Sequence, residues 1–215
     1  MRKLILKMNM SIDGFVKGPS GESDWIFETC DEGCATWELE TIWQAGLHVM
    51  GRKTFEDMAS YWPSATNPFA APMNAIPKLV FTRSGKIDFD AIKPSAVKEA
   101  RADDEKKQLG QASPEETKKN QQSWRDPLVG TDLVSEIARQ KATSGKPLIA
   151  YGGGSFARDL LKHDLIDEYR LVVHPIILGG GLAIFDGLAR PRALKLVSSS
   201  AFPSGATAHI FKRAG

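Results

Sequence analysis

Two spacings of apolar residues take turns along the chain. Short continuous runs read as strands: Leu4 to Met10, Leu47 to Met50, Lys78 to Thr82, Pro147 to Tyr151 and Tyr169 to Val173. Between them the apolar positions spread to the i, i+3, i+4 pattern of a helix with one buried stripe. Leu39, Ile42 and Trp43 mark such a helix over Ala35 to Gln44, with Gly46 as its stop signal. Phe55, Met58 and Ala59 mark a second over Thr54 to Tyr61. Leu133 to Lys141, opened by Thr131 or Asp132, and Ser155 to Lys162 complete the set. Near the C-terminus, Leu194 to Ser199 and Thr207 to Arg213 read as two strands joined around Pro203-Ser204-Gly205. Strands separated by helices predict parallel crossovers, and the closing hairpin adds antiparallel strands. The expected fold class is therefore α/β, one domain over residues 1–215.

The stretch 86–123 breaks the pattern. It carries eight basic and eight acidic residues, and Phe89 is its one aromatic. Ser113-Pro114-Glu115-Glu116 combines a capping Ser, a Pro at the first helical position and a Glu placed to bond back. Ser95 to Leu109, closed by Gly110, reads as another helix. We read a polar helical hairpin inserted between two core elements, a solvated excursion with too little apolar surface to serve as a lid. Its zero net charge argues against a nucleic-acid arm.

Composition narrows the classes further. Hydrophobic residues make up 42% and charged residues 25%, near the averages for globular chains, which excludes a disordered or collagen-like protein. No apolar run approaches the roughly 20 residues of a membrane span. The opening Met1-Arg2-Lys3-Leu4-Ile5-Leu6 starts like a signal peptide until Lys7 interrupts it, so a cytoplasmic protein is expected. With 28 basic against 26 acidic residues, there is no electrostatic case for a nucleic-acid or membrane partner. Cys30 and Cys34 could be a redox pair or half a metal site, but the plainer reading is two reduced thiols beside a helix start. Zinc would need two more ligands at motif spacing, and no Cys or His stands there. No metal is expected.

Three strand ends carry glycine or arginine where a ligand would want them. Gly51-Arg52-Lys53-Thr54 joins a strand to a helix, offering close backbone approach, free helix-start N–H groups, two cations and a hydroxyl. Thr82-Arg83-Ser84 places a guanidinium between two hydroxyls, a fork suited to phosphate oxygens. Tyr151-Gly152-Gly153-Gly154-Ser155-Phe156-Ala157 sets three glycines between an apolar strand and a helix. Their entropic cost points to backbone–ligand contact. Gly152, Gly154 and Ala157 fit a dinucleotide fingerprint, but the next strand closes at Val173-His174-Pro175 instead of an acidic residue. Phosphate binding stands and a Rossmann topology does not. A fourth patch, Gly179-Gly180-Gly181, either lines the same cleft or turns the chain, and we favour the cleft.

Taken together, these pieces resemble the dihydrofolate-reductase-like superfamily, in particular the RibD C-terminal (riboflavin-biosynthesis reductase) branch. The matching residues are Met10-Ser11-Ile12-Asp13-Gly14-Phe15, Gly51-Arg52-Lys53-Thr54-Phe55-Glu56, Thr82-Arg83, Gly152-Gly153-Gly154, Leu165 to Leu171, and His174 to Gly181 with Phe185. The resemblance implies a mixed, mainly parallel sheet flanked by helices with a C-terminal antiparallel hairpin, usually in a homodimer, with NADPH in an extended cleft. It implies that Gly51, Arg52, Lys53 and Thr54 hold cofactor phosphates and that Thr82 and Arg83 meet the adenosine end. It further places Gly152, Gly153, Gly154 and Ser155 at the pyrophosphate. Ser11, Gly14, His174 and Pro175 would border the substrate, and Asp13 would orient it or pass a proton. Glu168 is expected to be structural.

Folate itself fits less well. Counting back from Gly51, the helix carboxylate of a folate reductase falls at Ala35, and the arginine that clamps the glutamate tail falls at Ile76. The function implied is an NADPH-dependent reductase of a small cyclic or sugar-derived substrate, nearest to the pyrimidine reductases. The alternatives are a dimeric nucleotide-binding module without turnover and a dihydrofolate or pterin reductase.

Overall fold

The first apolar run of the chain sits at the middle of the sheet. The computed structural model describes residues 1–92, 98–107 and 109–214. In chain order the elements are β1 (Leu4–Ser11), α1 (Trp25–Glu28), α2 (Glu32–Trp43), β2 (Leu47–Gly51), α3 (Arg52–Tyr61), a 3-10 turn (Trp62–Ser64), α4 (Ala70–Ala75) and β3 (Lys78–Phe81). They continue with α5 (Lys98–Lys106), α6 (Pro114–Trp124), β4 (Leu128–Gly130), α7 (Leu133–Ala142), β5 (Leu148–Tyr151), α8 (Gly154–Lys162), β6 (Glu168–His174), β7 (Leu194–Ala201) and β8 (Thr207–Arg213). The sheet runs β4-β3-β2-β5-β1-β6-β8-β7. Pairings from β4 through β6 are parallel, and β8 joins β6 and β7 antiparallel. This is the mixed sheet that the spacing of elements predicts.

Alternation along β1 sorts its side chains to two faces. Leu4, Leu6, Met8 and Met10 enter a core with Val49, Leu79, Leu148, Phe156, Leu160 and Leu171. Ile5 enters the opposite core with Met50, Phe55, Val80, Trp124 and Ile149. Burial on both faces is what crossover helices impose on parallel strands. Each fully buried side chain of this size contributes about 1.5–3 kcal/mol. Beyond Ile5, the second face of β1 turns polar at Lys7 and Asn9. That change marks where the core stops and the cleft begins.

Three elements are absent from the hydrophobic pattern, the single-turn α1 among them. β4 is a three-residue edge strand following Asp126-Pro127, too short to show a period. α4 contains Pro72 in its first turn, where the missing N–H costs nothing.

The described residues of the 86–123 stretch do not stand free of the core. Residues 95–97 and 108 of the expected Ser95–Leu109 helix lie outside the described residues, and α5 covers part of the remainder. Ser113 caps α6 by accepting from Glu116 N at 3.2 Å, as the motif predicts. At the far end of α6, Trp124 is fully buried and donates Nε1–H to Asn74 Oδ1 at 2.8 Å. The Lys78 ammonium lies 4.4 Å from the Trp124 ring centroid and donates to Asn74 O. Burial pulls its pKa down to about 8. An apolar residue just past the polar stretch thus ties it to the core.

Candidate active site

Three strand ends meet because β3, β2 and β5 are neighbours in a parallel sheet, so their C-terminal ends share one edge. Gly51 pairs with Phe81 in register, which sets Arg52 beside Thr82 and Arg83. A Cβ on Gly51 would lie 3.3 Å from Phe156 Cβ, and one on Gly153 would lie 2.6 Å from Thr54 Oγ1. The starts of α3 and α8 therefore touch. Gly153 takes φ +79°, a conformation open to glycine at little cost. The three places converge on one cleft of about 1950 Å³.

Both helix starts at this edge are bare. α3 follows Gly51 and α8 follows Gly153, neither with a side-chain cap. By contrast, Asp31, Ser113 and Asp132 each accept an N–H at the starts of α2, α6 and α7. The first amides of α3 and α8 are left for an anion, which the helix dipole favours. Arg52, Lys53, Arg83 and Arg158 also border the cleft. Arg52 is already paired with Glu56 at 2.7 Å, whereas Arg83 projects into solvent. Two bare amide nests with cations beside them make a place for a phosphate-bearing anion. Of the expected cofactor residues, Gly51, Arg52, Lys53, Thr54, Thr82, Arg83, Gly153, Gly154 and Ser155 all border the cleft, and Gly152 does not.

The deep wall of the cleft is built by β1 and α2. Lys7 and Asn9 come from the polar half of β1. Lys7 is in register with Tyr151 of β5. Above them α2 presents Ala35, Glu38, Leu39 and Ile42 to the cleft, one face of a helix. Lys7 Nζ and Glu38 Oε1 form an ion pair, each side chain 9% exposed. Tyr151 Oη is buried without a hydrogen-bond partner among the described residues. Burial first, then the Glu38 charge, keep its hydroxyl protonated well above the usual range. A helix carboxylate does reach the pocket. It stands one turn beyond Ala35, the position that counting gives, so the expected lack of such a group is corrected.

The residues expected around the substrate do different work. Asp13 accepts from Ser11 Oγ at 2.6 Å and from the backbone N–H of Gly179 at 2.8 Å and Leu178 at 3.2 Å. The Ser11 hydroxyl first, with those amides, holds its carboxyl below the usual range. Asp13 thus braces two loops. Ser11 is buried in the same knot. Gly14 supplies the turn with φ +89°. Gly181 belongs to this brace too, since a Cβ on it would lie 2.0 Å from Lys17 O. The Gly179–Gly181 patch turns the chain against the Lys17 loop, and Leu182 is the residue there that borders the cleft.

His174 is fully buried behind Asn9. Its Nδ1 lies 2.7 Å from Thr29 Oγ1 and its Nε2 lies 3.2 Å from Asn9 Oδ1. Burial pulls its pKa down to about 4, so it positions Asn9 as a neutral ring. Pro175 packs over Gly205 of the β7–β8 turn. None of Ser11, Asp13, Gly14, His174 and Pro175 borders the cleft. Glu168 is structural, bridging Lys3 and Arg170.

The 86–123 stretch contributes to the mouth. Asp103, Asp104, Lys107 and Leu109 border the cleft. Asp104 accepts from Tyr61 Oη and from Asn67 Nδ2. α3 runs about 15 Å along this wall at 1.5 Å per residue, from the cations at Arg52 to the aromatic end at Tyr61. Among the described residues, no helix is long and apolar enough to cross a membrane.

A mixed, mainly parallel sheet of eight strands that ends in antiparallel strands is the RibD-like, dihydrofolate-reductase-like fold. The chain belongs to the RibD C-terminal domain family, whose model matches residues 2–208. It is 25% identical over 218 residues to the uncharacterized protein YyaP of Bacillus subtilis (strain 168), covering 98% of this chain and 94% of that one. Its fold is similar to a putative riboflavin biosynthesis protein from Shewanella sp. PV-4, with TM-score 0.67, 20% identity and 99% of each chain covered. It is also similar to a diaminohydroxyphosphoribosylaminopyrimidine deaminase/5-amino-6-(5-phosphoribosylamino)uracil reductase from Thermotoga maritima. There the TM-score is 0.59 at 14% identity, covering 99% of this chain and 57% of that one.

Proposed function

We propose that the protein is an NADPH-dependent reductase acting on a small pyrimidine-like ring. One observation carries the reading: the bare starts of α3 and α8 open, beside Arg83, into the same cleft whose floor holds the Lys7–Glu38 pair. NADPH, when bound, supplies the hydride. Gly51 to Thr54 and Gly153 to Ser155 would hold its pyrophosphate, and Arg83 its 2′-phosphate. Lys7 keeps donor capacity beyond its bond to Glu38, so it can give a proton to a ring nitrogen beside the carbon being reduced. Glu38 holds the ammonium in place. Asn9, held by His174, offers an amide to the ring edge. The apolar α2 face around Leu39 and Ile42 excludes water from the reacting atoms.

Glu38 also supplies the helix carboxylate that a pterin reductase requires, so dihydrofolate belongs among the substrates tried. The same reading takes a second copy of the chain as the cover of β7, an edge strand exposing Leu194, Leu196 and Val197. Sedimentation equilibrium reads that dimer.

The test combines binding and turnover. NADPH and NADH are titrated by tryptophan fluorescence on wild type and Arg83→Ala. Loss of the reduced-nicotinamide absorbance is then followed against aminopyrimidines, pterins and dihydrofolate. The reading expects NADPH preference, its loss in Arg83→Ala, and oxidation with one ring class that Lys7→Met abolishes while binding persists. Unchanged cofactor preference in Arg83→Ala overturns the placement. Tight binding with no oxidation throughout favours the module without turnover.

A further inference from the structure

The two cysteines meet in the cleft wall. Cys30 borders the cleft just before the Asp31 cap of α2, and Cys34, one turn into the helix, is fully buried. Their sulfurs are 2.7 Å apart, within about 1 Å of a bond length. The segment carrying Cys30 is fixed on both sides. Thr29 Oγ1 donates to Trp25 O and contacts His174, while Asp31 accepts from Cys34 N and Ser204 N. The sulfurs are therefore brought together by a braced wall, without the chain having to hinge. Cys34 and Glu38 lie one turn apart on α2, and Cys30, Glu38 and Lys7 all border the cleft, which places the dithiol near the cleft-floor ion pair.

We propose that Cys30 and Cys34 are a reversible oxidation site, converted to an intramolecular disulfide by low-molecular-weight disulfides of the glutathione class. Accessibility sets the order of events. Cys30, as thiolate, attacks one sulfur of the oxidant, whose S–S bond breaks. The first small thiol leaves carrying the proton that Cys30 gave up. Cys34 then attacks Cys30 Sγ, the mixed disulfide breaks, and the second small thiol leaves with the Cys34 proton. Two protein thiols are oxidised and one small disulfide is reduced to two thiols. The sulfur–sulfur hydrogen bond, burial and the Glu38 carboxylate push the Cys30 thiol well above its ordinary range. The resting pair is therefore a dithiol that exchanges slowly, unlike an activated catalytic thiolate.

The experiment incubates the full chain with glutathione disulfide, quenches in acid, alkylates under denaturing conditions with N-ethylmaleimide, and reads the intact mass. The expected product lacks two hydrogens, carries no maleimide and no glutathione, and regains two maleimide sites after dithiothreitol. Cys34→Ala is expected to stop at a stable glutathione adduct, mapped to Cys30 by peptide mass. Full alkylation of both thiols in oxidised wild type, or retention of glutathione by wild type, overturns the proposal. The wild-type readout decides the matter even if the variant fails to fold, and it requires no substrate.

Discussion

Removing either member of the Lys7–Glu38 pair leaves a charge in a site where each side chain is 9% exposed. Breaking a buried pair this way costs about 3–5 kcal/mol, whereas replacing both partners with apolar groups of similar volume is often neutral or stabilising. This pair borders the cleft, so water can approach the orphaned charge, and the lower end applies: about 3 kcal/mol for Lys7→Met or Glu38→Leu alone. The double variant Lys7→Met/Glu38→Leu is expected within about 1 kcal/mol of wild type, which makes the two effects strongly non-additive. Urea denaturation followed by circular dichroism and tryptophan fluorescence measures all four corners, with m-values checking that the denatured states match. Turnover separates stability from chemistry. The double variant should recover the fold and still fail to oxidise NADPH. Single variants costing less than about 1 kcal/mol each, with a double equal to their sum, would refute a coupled pair.

Two further outcomes follow from individual residues. His48 and His174 are both fully buried, and desolvation holds each near pKa 4 against an ordinary 6.5. As pH falls, the unfolded chain takes up protons first, so stability is complete above about pH 6.5 and declines towards pH 4, by up to about 3 kcal/mol per ring. A urea midpoint that stays flat from pH 6.5 to 5, above most carboxylate titration, would contradict this. Gly181→Ala must place a Cβ 2.0 Å from Lys17 O at φ +129°. It should cost about 1–3 kcal/mol and raise amide exchange across residues 13–18, and a neutral effect on both would remove the brace from consideration.

The sheet was legible in the sequence because nearly every strand carries its own apolar run and each crossover its own helical stripe. The meeting of Gly51, Arg83 and Gly153 at one cleft was legible too, since glycine and arginine at three strand ends need only a parallel sheet to bring them together. The substrate side was harder. Ser11, Asp13 and His174 are polar groups at strand ends, as site residues are, but their bonding capacity is spent on loops and on Asn9. The groups that do reach the cleft are interior ones. Lys7 and Asn9 are polar residues alternating with apolar ones along the central strand, and that alternation was the available signal. Glu38 shares the α2 face of Ala35 and Ile42, but only the pairing partner on β1 gives it a direction. Trp124 lies just past a polar stretch and has no periodic neighbours, so its anchoring role depends on Asn74 and Lys78, remote in sequence.

The central position of β1 has a consequence for synthesis. Its hydrogen-bonding neighbours are β5, beginning at Leu148, and β6, beginning at Glu168. An apolar strand made first must wait for about 140 further residues, on the order of 7–30 s at ribosomal speed. Through that interval Leu4 to Met10 is an unpaired, aggregation-prone ribbon. Nascent chains of this protein should therefore engage chaperones early and release them only once β6 has emerged.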